Sequence, residues 1–140
     1  MTARSMSSPV AALAAFAVAG LLVAGCGGGG GGGGNASKSV TVTAPAGGGA
    51  ASVTIEAHDV FFNVTKIKAP AGKLDIHYVE KGSQQHTLAI DSVKDFKLEV
   101  GPGTSSDDGT VTLQPGSYTY YCTIPGHRAQ GMQGTITVAS

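Results

Sequence analysis

Cysteine is scarce in this chain of 140 residues, which holds only Cys26 and Cys122. A disulfide scaffold and a paired-cysteine zinc site both need more thiols than that, and the single possible bridge would join two residues that each have a better role. Charge of either sign is not in excess, since nine basic residues stand against nine acidic. Nothing in that balance suits nucleic acid or an anionic lipid surface. No amphipathic helical period of useful length is present. The one long apolar run, Val10 to Ala24, is 15 residues, short for a membrane span and of signal-peptide length.

What is there divides into three parts. Arg4 and the apolar run read as an export signal over residues 1–25, and its end, Val23-Ala24-Gly25-Cys26, resembles the lipobox of bacterial lipoproteins. That resemblance implies diacylglycerol on the Cys26 sulfur and cleavage just before it. Losing Arg4 with the leader leaves eight basic residues against nine acidic, a net charge near −1. Residues 26–51 open with an unbroken glycine run, Gly27 to Gly34, and stay rich in Gly, Ala, Ser and Thr. Such a segment buries too little apolar surface to offset its ordering entropy and reads as a flexible tether. A coil of about 25 residues spans on the order of 25 to 30 Å. Ser39 to Thr43 alternates like a strand, but its neighbours assign it to the tether. The expected location is extracytoplasmic, on a lipid anchor in the bacterial cell membrane, facing the periplasm or the outside.

From Ser52 to Ser140 the hydrophobic period is two. Val53, Ile55 and Ala57 alternate with polar residues, as do Leu74, Ile76 and Tyr78, the pattern of half-buried strands. Further runs at His86–Ile90, Phe96–Val100, Thr110–Leu113, Ser117–Cys122 and Gly134–Val138 are separated by Gly and Pro pairs such as Gly101-Pro102 and Pro115-Gly116. The expected fold is all-β, a two-sheet antiparallel Greek-key sandwich of about seven or eight strands.

The most informative stretch is Tyr118 to Val138, where Cys122, His127 and Met132 are each separated by four residues. Thiolate, imidazole and thioether on one loop suit copper, and two His with one Cys and a long axial Met make an electron-transfer site. His86, opening an apolar strand after the turn Gly82-Ser83-Gln84-Gln85, is the candidate second imidazole. Singly, a Cys or Met on a strand end is ordinary core filler. Jointly the spacing argues otherwise, because Met132 is the one Met after the leader and Cys122 the one Cys after the tether. Zinc disfavours a thioether, a binuclear copper centre needs a second loop cysteine, and a cysteine nucleophile leaves Met132 without a role. His58 and His77 fall outside the pattern and read as surface or strand residues.

With Pro115-Gly116-Ser117-Tyr118 before it and a Gly-rich final strand after it, the Cys-x4-His-x4-Met loop resembles the cupredoxin family, in its auracyanin- and rusticyanin-like branch. The resemblance runs over most of Ala57 to Val138. It implies one type 1 copper held by His86, Cys122 and His127 in the equatorial plane and by Met132 as the weak axial ligand. Thr87 stands where many members place an asparagine that bonds the cysteine sulfur. It also implies an apolar patch around His127 as the docking surface for redox partners, with Arg128 and the Asp107-Asp108 pair as steering charges.

The expected function is a monomeric, membrane-tethered one-electron carrier cycling Cu(I) and Cu(II), and not an enzyme, because the other histidines are too few for a second metal set. The alternative is copper storage or delivery, against which the chain lacks exposed Met-rich or His-rich tracts. Cys26→Ser should move the protein from the membrane to the soluble fraction. An unmodified Cys26 in the intact mass of the membrane fraction, or a variant that stays on the membrane, contradicts the anchor.

Overall fold

The computed structural model describes residues 38–140, so the leader, Cys26 and the glycine run lie outside the described residues. Ten strands follow in order: β1 (Ser39–Thr41), β2 (Ala51–His58), β3 (Phe61–Phe62), β4 (Lys66–Pro70), β5 (Gly72–Glu80), β6 (His86–Ile90), β7 (Lys97–Val100), β8 (Ser106–Leu113), β9 (Gly116–Tyr121) and β10 (Gln133–Ala139). They form two sheets, ordered β1-β4-β10-β9-β6-β7 and β3-β2-β5-β8. The all-β, two-sheet sandwich is the architecture expected from the alternation.

Each sheet turns one face inward, and the period-two pattern decides which. Along β2, Ala51, Val53, Ile55 and Ala57 are buried while Ser52 and Thr54 face water, as the alternation of side chains across a pleat requires. Leu74, Ile76 and Tyr78 of β5 meet Leu88 of β6, Tyr120 of β9 and Ile136 of β10 in one core. Two phenols are wholly buried there and both are satisfied: Tyr78 donates to the Thr87 carbonyl at 3.2 Å, and Tyr120 donates to the Val64 carbonyl. Burial pushes both hydroxyls well above the usual phenol range, so they remain neutral donors.

The structure departs from the sequence expectation in three ways. Segment 26–51 is not tether throughout, because β1 lies within it and pairs in parallel with β4, Ser39 opposite Lys66. Strands β1, β3 and β4 add to the expected count: β1 alternates but lies in the segment read as tether, and β3 and β4 are short runs of two and five residues. The sheets are also mixed: β10 with β4 and β2 with β5 run parallel, whereas β9 with β10, β6 with β9, β6 with β7 and β5 with β8 are antiparallel. Parallel neighbours demand a crossover between sheets, which alternation alone does not encode.

Gly134 pairs across the ladder with Tyr120, and a Cβ there would fall on the ring and hydroxyl of that tyrosine. The ring is fully buried and tied by its hydroxyl, so it has no room to yield. Gly134→Ala should therefore cost roughly 1–3 kcal/mol, read as a lower urea midpoint at unchanged slope. An unchanged midpoint contradicts the packing described.

Candidate metal centre

Strand β9 lies between β10 and β6 in the larger sheet. Both neighbours are antiparallel to it: Tyr121 at the end of β9 lies opposite Gln133 at the start of β10 and opposite Ala89 of β6, so the start of β6 runs on past β9 beside Cys122 and Thr123. His86 is the first residue of β6, Cys122 follows the last residue of β9, and Met132 precedes the first residue of β10. The ladder extends one step beyond β9, because the Cys122 amide donates to the Met132 carbonyl at 3.1 Å.

The loop between Cys122 and Met132 folds back on itself through short backbone bonds. His127 N–H donates to the Ile124 carbonyl at 3.1 Å, and Met132 N–H donates to the His127 carbonyl at 3.0 Å. Gly126 and Gly131 take φ of 87° and 104°, a region open to glycine at little steric cost. The His127 ring is thereby returned toward the strand ends. The donor atoms of His86, Cys122 and His127 all lie within 4.8 Å of one another, with 3.6 Å between Cys122 Sγ and His127 Nδ1.

Burial at this point is uneven in a way that suits a metal. His86, Cys122 and Met132 are inaccessible to solvent or nearly so, while His127 is half-buried at the rim. Both ring nitrogens of His86 are buried without a hydrogen-bond partner among the described residues. An unpaired buried polar group is costly, and here it faces a thiol and a second imidazole. Desolvation is the main cause that lowers the His86 pKa, opposed by the carboxylates of Glu80 and Asp59 and aided by His127. The imidazole is thus held neutral, with a lone pair to offer. Cys122 forms no disulfide among the described residues. Soft sulfur and neutral imidazole converging in a dry site fit copper, and the orphaned His86 ring is the observation on which that fit rests.

Thr87 supplies what the expected asparagine would. Its backbone N–H points at Cys122 Sγ at 3.5 Å, its hydroxyl lies 3.6 Å from the same sulfur, and that hydroxyl accepts the Thr123 N–H at 2.7 Å. The start of β6 is thereby fastened to Cys122 and to the residue that follows it. Thr123 was not singled out from the sequence, because nothing in its local pattern marks it. His58 and His77 lie away from the cluster: His58 stacks on Phe61 at 4.7 Å, and His77 Nδ1 meets Asp108 Oδ1 at 2.5 Å. Cys26 lies outside the described residues.

Compared with known proteins, residues 36–139 match the copper binding proteins of the plastocyanin/azurin family. Auracyanin-B of Chloroflexus aurantiacus is 49% identical over 37 residues, which are 24% of this chain and 16% of that protein's length. Among solved structures, the dithionite-reduced auracyanin of the photosynthetic bacterium Roseiflexus castenholzii superposes with a TM-score of 0.57 at 22% identity, covering 64% of this chain and 97% of that one. Auracyanin A of Chloroflexus aurantiacus, described as a "blue" copper protein, gives 0.54 at 22% identity over 64% and 99%. At that identity the structural likeness speaks for the fold.

Replacing Thr87 by Val keeps its shape but leaves the Thr123 N–H without its acceptor. Thr87→Val should lower the stability of the metal-free protein by about 1–2 kcal/mol, and Thr87→Ser should retain most of it. Equal urea midpoints for the Val variant and the unmutated protein would show that the bond does not hold β6 to the loop.

Proposed function

Because the chain belongs to the plastocyanin/azurin family of copper-binding proteins, we propose that it is a one-electron carrier in which His86, Cys122, His127 and Met132 hold a single type 1 copper. When bound, copper supplies a one-electron couple between Cu(I) and Cu(II). The observation that carries the reading is the convergence of two imidazoles and one thiol within 4.8 Å, with the buried His86 ring having no hydrogen-bond partner among the described residues. Two imidazoles, a thiolate and a weak thioether are a compromise tolerable to both oxidation states, which keeps reorganisation small. The packed strand ends hold the donors in one arrangement and exclude water. An exchangeable coordination position, which substrate turnover needs, is not offered by this donor set, so the reading is a carrier and not an enzyme.

Redox partners would dock at the rim, where Pro125, Gly126 and Ala129 are exposed beside the half-buried His127. A small apolar contact of this kind suits a partner that must leave quickly. No helix among the described residues is long and apolar enough to cross a membrane. Tethering by lipid on Cys26 and a position outside the cytoplasm remain part of the proposal, supported by the leader and the Val-Ala-Gly-Cys sequence. A monomer accords with a domain whose apolar strand faces are turned into its own core. Storage or delivery of copper is disfavoured by the burial of His86, Cys122 and Met132, since a donor handing on its metal presents ligands to the acceptor.

Cys122→Ser should abolish the intense thiolate-to-copper colour. Met132→Leu should keep copper bound while raising the potential, since losing the axial thioether disfavours Cu(II). A colourless copper complex of the unmutated protein, or a lower potential in the Leu variant, contradicts the ligand assignment.

A further inference from the structure

Arg128 follows His127 directly and is the only charged residue in the loop from Thr123 to Gly131. Its guanidinium is engaged by Tyr121 of β9, Gln133 of β10 and Asp91 just past β6. Nη2 meets Asp91 Oδ2 at 2.8 Å with Nη1 at 3.5 Å from Oδ1, Nε meets Gln133 Oε1 at 3.3 Å, and Cζ stands 4.0 Å from the centre of the Tyr121 ring. Asp91, just past β6, is itself fixed, because its N–H donates to the Thr119 carbonyl of β9 at 2.8 Å. Tyr121 precedes Cys122, and Gln133 follows Met132.

We propose that Arg128 is a positioning residue for the metal centre: it clamps the ligand loop onto the outer face of the larger sheet and so fixes the backbone from which His127 projects. The inference rests on the copper reading above and assigns Arg128 an internal role in place of steering partners. Each contact alone is weak at a half-exposed site. Together they are made by one rigid planar group, and a lysine, with a compact ammonium, cannot reproduce the fork and the stack at once. The backbone–backbone bonds of the loop from Thr123 to Gly131 run between its own residues and to Met132 and Gln133, and Gly126, Ala129, Gln130 and Gly131 are exposed, so the Arg128 side chain is what ties the loop to Asp91 and Tyr121. The segments tied by the clamp are those that begin or end at Cys122 and Met132, so loosening it would let His127 drift relative to both.

The test uses Arg128→Lys and Asp91→Asn in the full chain, held in mild detergent. Arg128→Lys keeps the charge and loses the fork, while Asp91→Asn keeps the arginine and loses its anchor. In the metal-free protein, amide hydrogen exchange at His127, Gly131 and Met132 should speed up about five- to tenfold in both variants, with the Ile76 amide in the core unchanged. In the copper-loaded protein, electron self-exchange should slow by about threefold or more in both, and the loss should persist in about 1 M salt, where the screening length is about 3 Å. The proposal is overturned if Arg128→Lys matches the unmutated protein in both measurements. It is likewise overturned if only Asp91→Asn changes self-exchange and salt abolishes the change, which is the mark of a steering charge. Should the unmutated protein show no thiolate-to-copper band, the copper reading fails by itself, and the amide exchange of the metal-free protein still decides whether Arg128 holds the loop.

Discussion

Strand β9 bonds to β10 on one side and to β6 on the other, and the chemistry of the molecule depends on that double pairing. Antiparallel order on both sides sets the start of β10 against the end of β9 and carries the start of β6 past that end, so that the histidine opening β6, the cysteine following β9 and the methionine preceding β10 come to one end of the sheet. The smaller sheet contributes by covering them. Tyr78 of β5 packs beneath the site and donates to the Thr87 carbonyl, which links the backbone of β6 to the opposite sheet.

The site is held in an arrangement that the protein alone does not favour. A histidine ring with neither nitrogen paired sits in the interior beside a buried thiol, and burying unpaired polar groups costs free energy. The core around it supplies the compensation, with Tyr120, Leu88 and Ile136 fully buried. Thr87 adds local rigidity by bonding to the Cys122 sulfur and to the Thr123 N–H. A metal that pairs with these donors removes the penalty, which makes metal binding and folding stability two faces of one equilibrium. Rigidity then matters for the redox step as well, because donors fixed by strand ends have little freedom to rearrange when the charge of their ligand changes.

Much of this was legible in the sequence because the signals were local. Period-two alternation announced β2, β5 and β10, and the equal spacing of Cys122, His127 and Met132 announced the loop. His86 was found by position, since it opens a strand after a polar turn. Strand β1 alternates in the sequence but lies among Gly- and Ala-rich neighbours, and β4 alternates over only Lys66 to Ala69; the evidence for both is reciprocal, since Val40 and Ile67 lie opposite each other. The parallel pairings were missed for a related reason, as side-chain periodicity carries no information on strand direction. The role of Thr123 and the clamp on Arg128 depend on contacts with Thr87 and Asp91, 36 and 37 residues away.

The central claim is that strand ends preorganise two imidazoles and one thiolate for a single copper in both oxidation states. X-ray absorption at the copper edge, recorded on the oxidised and the reduced protein at neutral pH, tests it most directly. The account predicts one short bond to sulfur and two to imidazole nitrogen in both states, with small changes in length between them. A shell of nitrogen and oxygen without the short sulfur bond, or the loss of an imidazole on reduction, would contradict it.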